Sequence, residues 1–364
     1  MNIITLYDKL EKLVARLPEP LQSPILREVR PIKTLFLHQR APRILLLGDR
    51  AASRSALTNA LFGQQVAELE EDHLQDGSWQ LFASSHGKLR VLDARRPISA
   101  ATVRGALSLE TPDLCLFLFS GKRPETETME DLQRARDIFQ PVATGAGPMA
   151  PAVIGVAVGT AEELAAQTRG ELLETMDRGD ANPLRGRVKG AYVLAAGTGE
   201  VHRLAAAIAA ELPDEAKLEM ARLSSVREIQ HDVAGALTKS VAAICGAVGT
   251  QPIPLADFPI LTGLQAAMVA GIMHVSGREM STKLAAEWLA AIGANIGFGL
   301  VLREGARAAL KLLPVWGDLV SGGIAAAGTY AVGRAASAYF IDGISMPDAK
   351  RLLGGKSKWR KKVG

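Results

Sequence analysis

The chain carries two hydrophobic rhythms, and the change between them divides it. From residue 42 to 212, short apolar runs alternate with stretches of helical spacing. That alternation predicts βα units on a mostly parallel sheet. The predicted strands are RILLLG from Arg43, WQLFA from Trp79, KLRVLD from Lys88, DLCLFLF from Asp113, AVIGVAV from Ala152 and AYVLAA from Ala191. Helices are expected after Ser53, Pro124, Thr160 and Gly199. Ahead of this region, residues 3–40 read as helix, break and helix. Leu6, Leu10, Leu13 and Leu17 keep helical spacing, and Pro18, Pro20 and Pro24 interrupt it. LPDEAK, from Leu212, reads as a linker.

Residues 236–346 follow the second rhythm. They hold 15 of the 35 glycines and only 13 charged residues, and long uncharged stretches dominate. One of these, 258–277, exceeds 18 residues but contains His274 and Gly277 and is led by Pro259. A spanning helix needs about 20 mostly apolar residues. The stretches are therefore borderline between tight soluble helices and membrane-embedded ones. Small residues four apart, as at Gly293/Gly297 and Ser321/Ala325, predict close helix packing. The expected division is a helical lead-in at 1–41, an α/β domain at 42–212, an apolar all-α domain at 223–347 and a tail at 348–364.

Charge sharpens the last of these parts. The net charge is +4, yet residues 350–364 hold seven Lys/Arg and no acid, which leaves the rest mildly acidic. Lys356, Lys358, Arg360, Lys361 and Lys362 flank Trp359 beside an apolar domain. That grouping suits an anionic membrane surface, where each basic residue contributes about 1 kcal/mol and Trp prefers the interface. A nucleic-acid tail would share the charge; the adjoining apolar domain favours membrane. Cys115 and Cys245 lie apart in apolar runs, as expected of unpaired thiols in a reducing compartment. The N-terminus lacks the pattern of a secretory signal. The six histidines show no metal-ligand spacing.

The candidate chemistry lies in GDRAASRS, residues 48–55, after the first strand. A strand, a glycine-led turn and a helix is the setting of a phosphate loop, G-x-x-x-x-G-K-[ST]. Gly48 and Ser55 fit that pattern, while Ser53 replaces the second glycine and Arg54 replaces the lysine. Ser53 keeps an N–H but adds a Cβ, and Arg54 keeps the charge on a larger planar fork. Ser55 retains a hydroxyl suited to Mg²⁺.

RAPRILLLGDRAASRSALTNALFGQQVAEL resembles the first strand, loop and helix of the Era-like branch of the translation-factor-related GTPases, through Ser55, Leu57, Asn59, Ala60, Leu61, Phe62 and Gly63. The resemblance implies a P-loop GTPase-like, doubly wound fold. It also places the family's other motifs. D-x-x-G falls on Asp93 with Arg96 in place of the glycine. Ser78 is the one candidate for the switch-one position. The base-reading N-K-x-D falls on AVGTAEEL, where Thr160 and Ala161 cannot read guanine. S-A-K falls on Ala195 and Ala196. Gly48, Ser53, Arg54, Ser55 and Asp93 would contact GTP or GDP, with Ser55 and Asp93 on Mg²⁺. Arg95 and Arg96 are either solvated or fill the emptied site with their own charge.

QPIPLADFPILTGLQAAMVAGIMHVSG is similar to the helical domain of YcjF-type inner-membrane proteins, through Pro252, Pro254, Asp257, Leu261, Thr262, Gln265 and Met268. Asp257 and Gln265 stand in apolar settings and need partners. Together the two resemblances imply a GTPase-fold protein with a degenerate site. Its expected place is the cytoplasmic face of a membrane, peripheral or integral, as a scaffold or regulator. Its expected partner is an active GTPase or a second copy of itself. The losses argue against catalysis. The alternatives are an atypical GTP-hydrolysing protein and a soluble structural or oligomerising protein.

Overall fold

The computed structural model describes residues 38–62, 77–84, 87–95, 98–120, 125–139, 151–159, 186–195, 200–224, 226–249, 258–293 and 317–353, with a few isolated positions besides. Two compact units emerge, residues 40–229 and residues 230–364 together with 1–39.

The first unit is α/β. Six strands form one sheet: β1 (Arg43–Gly48), β2 (Gln80–Ser84), β3 (Gly87–Asp93), β4 (Leu114–Phe119), β5 (Ala152–Gly159) and β6 (Val188–Ala195). Their order is β2-β3-β1-β4-β5-β6. Only β2 runs antiparallel, against β3. All six strands expected from the apolar runs are present. Every residue of β4 is buried, as is all of β1 after Arg43. Continuous burial is what a parallel strand covered on both faces requires, and it explains why these runs do not alternate with polar residues.

Among the described residues the sheet is accompanied by α1 (Arg54–Phe62), α2 (Ala100–Leu109), α3 (Glu125–Phe139), α4 (Glu200–Glu211) and α5 (Asp214–Leu223). Val103 and Leu107 of α2 and Leu132, Ala135 and Ile138 of α3 join Leu45, Leu47, Cys115 and Phe117 in one core. The helix α2 was not foreseen from the sequence. Its start is set by Ser99, whose hydroxyl accepts from the Thr102 N–H as an N-cap. Of the helix expected after Thr160 only isolated positions are described: Gly170, Leu173, Glu174 and Met176 are helical, and Met176 is buried in the same core.

The segment read as a linker is instead the helix α5, packed against β3. Glu219 is the reason. It is buried, its Oε2 accepts from the Lys88 N–H at 2.9 Å, and its Oε1 meets Arg222 at 3.2 Å. Glu219 lies just beyond LPDEAK, and in sequence a carboxylate satisfying a strand end looks like a solvated one. At the start of the unit, Arg40 forks onto Asp113, both contacts 2.7 Å, and Asp113 also accepts from the Arg43 N–H. That carboxylate raises the Arg40 guanidinium above its ordinary pKa.

The second unit is helical: α6 (Arg227–Gly249), α7 (Phe258–Val275), α8 (Thr282–Gly293), α9 (Gly317–Phe340) and α10 (Met346–Leu353). The division between units falls inside α6, at Ile229. Close helix approach occurs at Gly333 of α9, where a Cβ would lie 2.3 Å from Thr238 Cγ2. Of the two small-residue pairs singled out in the sequence, Gly297 and the side chain of Ser321 lie outside the described residues. Gln265 finds the partner it needs: its Nε2 donates to the fully buried Thr329 Oγ1 at 2.9 Å. Asp257 lies outside the described residues. Trp288 packs on Tyr339 and Phe340, and Arg278 lies over the Phe340 ring at 5.0 Å. Among the described residues, no helix is long and apolar enough to cross a membrane. The expected integral attachment therefore finds no span there. The tail expected from residue 348 starts inside a helix instead: residues 348–353 belong to α10, where Arg351 pairs with Asp348, while Lys356, Lys358, Trp359, Arg360, Lys361 and Lys362 lie outside the described residues.

Candidate functional site

The strand order reverses at β1. The chain adds β2 and β3 on one side of it and β4 on the other. In open α/β sheets, the crevice for ligands lies beyond the C-terminal ends of the strands at such a reversal. The ends that meet there are Gly48 of β1, Asp93 of β3 and Ser120 just after β4, so the sequence GDRAASRS sits where a ligand loop belongs.

Gly48 makes the turn possible. Its φ is +90°, and an added Cβ would lie 2.3 Å from the Leu118 carbonyl oxygen. The chain then turns back on itself. The Asp49 N–H donates to Leu118 O at 2.8 Å. Asp49 Oδ1 accepts from the Ala51 N–H at 2.8 Å, and Oδ2 accepts from the Ser120 hydroxyl. A buried carboxylate of the loop's own thus takes up one loop N–H and the hydroxyl at the end of β4.

Ser53 has a structural role at the position of the missing glycine. Its Oγ accepts from the Ala56 N–H at 3.1 Å, three residues on, and its carbonyl accepts from Leu57. Ser53 is the N-cap of α1, a contact that contributes about 1 kcal/mol. The side chains of Arg54 and Ser55 lie outside the described residues.

The centre of the site is Arg95, which is only 6% exposed. Its Nε donates to Asp93 Oδ1 at 2.8 Å and its Nη2 to Asp93 Oδ2 at 2.7 Å. The third nitrogen, Nη1, reaches into the loop and donates to Asp49 O at 3.1 Å and Ala52 O at 2.8 Å. This is a bidentate guanidinium–carboxylate pair, closed off by two main-chain carbonyls. Of the two readings for Arg95, solvated or filling the site, the geometry is the second. Arg96 lies outside the described residues.

The polarity of this arrangement matters most. A phosphate loop turns N–H groups toward an anion. Here Asp49 and Ala52 turn carbonyl oxygens toward a cation. Asp93, the expected Mg²⁺ ligand, spends both oxygens on Arg95. The segment after Asp93 is held from outside as well. Arg134 of α3 donates its Nε to Ala94 O at 3.0 Å and its Nη2 to Ile98 O.

The structure therefore brings together Gly48, Ser53 and Asp93 of the expected set. Ser78 instead accepts from the Gln80 side chain at 3.0 Å. Thr160, Ala161 and Ala196 lie outside the described residues. Sequence reasoning missed Asp49, Ser120 and Arg134. Asp49 alone had a local signal, since Asp directly after a turn glycine commonly bonds an N–H two residues on. Ser120 and Arg134 converge only through the sheet.

Burial pushes the Cys115 thiol far up and that of Cys245 up to about 11, which disfavours the thiolate at both positions. Among the described residues, no group of acidic, Cys or His side chains is arranged to hold a metal ion. Compared with family models and with curated proteins, the sequence finds no match.

Proposed function

We propose that this chain is a GTPase-fold protein whose nucleotide site is degenerate, acting as a membrane-associated scaffold or regulatory partner rather than a catalyst. The observation that carries the reading is Arg95, seated on Asp93 and on the loop carbonyls of Asp49 and Ala52. Binding a magnesium nucleotide would require three changes at once: withdrawing a buried guanidinium, reorienting the loop, and stripping Asp93 of its partner. Each change costs free energy before any phosphate contact forms. The losses at Arg54, Arg96 and AVGTAEEL follow the same direction. Titration calorimetry with GTP, GDP and ATP plus magnesium is expected to give no heat of binding up to millimolar nucleotide. Micromolar GTP affinity with steady phosphate release would overturn the reading.

The membrane part rests on the apolar composition of 236–346 and on the seven basic residues that close the chain. Flotation with anionic liposomes tests it. At low salt the full chain is expected to float, and removal of residues 350–364 is expected to weaken flotation in a salt-dependent way. Equal recovery of both forms in the non-floating fraction would remove the membrane role and leave an internal scaffold.

A further inference from the structure

A pocket of about 330 Å³ opens in the helical unit, between α6, α9, the turn after α9, and α10. That volume lies at the lower end of the roughly 300–1,000 Å³ typical of small-ligand pockets. Gly235 of α6 lines it, and a Cβ built there meets nothing within 4 Å, so the space over this helix is open. Ala338, Leu352 and the Tyr330 ring supply apolar wall. Thr238 and Ser337 also line it, but their hydroxyl protons are already donated to Ala234 O and Gly333 O. Neither offers a proton to a ligand.

The charged side chains of the pocket are not all engaged alike. Asp342 is hydrogen-bonded to His231, whose Nε2 lies 2.7 Å from Asp342 Oδ1. On α10, Arg351 is matched by Asp348 at 2.9 Å. Arg334, exposed on α9 and lining the pocket, has no acidic partner among the described residues. A guanidinium fork over an apolar hollow has one best complement, a planar or tetrahedral oxyanion on an apolar body.

We propose that this pocket binds an anionic amphiphile, a short apolar chain ending in a carboxylate or phosphate, with Arg334 on the oxyanion and the chain over Gly235. The proposal is independent of the nucleotide site. Its test uses the full chain and calorimetry with octanoate, octyl phosphate and octylammonium below their micelle concentrations. Both anions are expected to bind saturably, and octylammonium at least tenfold more weakly. Arg334→Gln is expected to weaken the anions about tenfold. Gly235→Leu fills the hollow, favours the helix, and is expected to abolish binding of both. Circular dichroism establishes that each variant is folded. If Gly235→Leu fails to fold, Arg334→Gln decides alone, because its side chain is exposed. Absence of saturable anion binding, equal binding of octylammonium, or wild-type affinity in a folded Gly235→Leu overturns the proposal. Phosphatidylglycerol vesicles then separate the sources. Displacement of octyl phosphate identifies a lipid headgroup as the occupant, and no displacement identifies a free amphiphile.

Discussion

Arg95→Met is expected to destabilise the α/β unit by about 3–5 kcal/mol, the usual cost of stripping one partner from a buried ion pair. The substitution leaves Asp93 charged and buried, and leaves the carbonyls of Asp49 and Ala52 without their donor. For a unit of this size, each kcal/mol shifts the midpoint by about 2–4 °C, so thermal unfolding should fall by roughly 10 °C. The double variant Arg95→Met with Asp93→Leu removes both charges and is expected to recover much of the loss. That recovery separates an ion pair from simple packing. A single variant that melts within a degree of the parent would mean that Arg95 is solvated and the crevice open. The nucleotide reading would then lose its main support.

Gly48→Ala is expected to cost more than about 4 kcal/mol, or to prevent accumulation of folded protein. Two costs coincide there. The backbone φ of +90° is unfavourable to any side chain, and the new Cβ meets Leu118 O at 2.3 Å and Leu118 N at 2.9 Å. Backbone of a fully buried central strand cannot swing aside. Gly186→Ala is the control, since its φ is +71° and nothing lies within 4 Å of its Cβ. It carries the conformational cost alone, about 1–2 kcal/mol. Denaturant unfolding of the two variants measures the difference. Equal losses would show that Gly48 is needed for its φ and not for its closeness to β4.

Gly48 also shows how much of the site was legible in the sequence. A glycine after an apolar run is a local signal for a turn, and the turn is there. The identity of the loop's occupant was not local. Arg95 was visible as one of two adjacent arginines, with a solvated and a site-filling reading both open. The choice depends on whether β3 lies beside β1, so that Asp93 stands opposite Leu46 and the next residues reach the loop. Ser53 likewise looked like a damaged glycine, and its work as an N-cap became visible only once Ala56 was placed.

The same division runs through the rest of the molecule. The sequence by itself determined the central strands β1, β4 and β5, because buried parallel strands are continuous apolar runs whose character does not depend on their neighbours. It determined the contrast between the α/β region and the Gly/Ala-rich helices, because that contrast is compositional. Only the tertiary structure decided that α5 is a packed helix, since Glu219 is recognisable only when Lys88 stands opposite it. Only the tertiary structure decided which glycine brings two helices together, since Gly333 is distinguished from its neighbours by Thr238 alone. And only the tertiary structure showed that the loop after β1 holds a cation, Arg95, through its carbonyls. The direction in which a loop points its carbonyls is set by what the fold puts inside it.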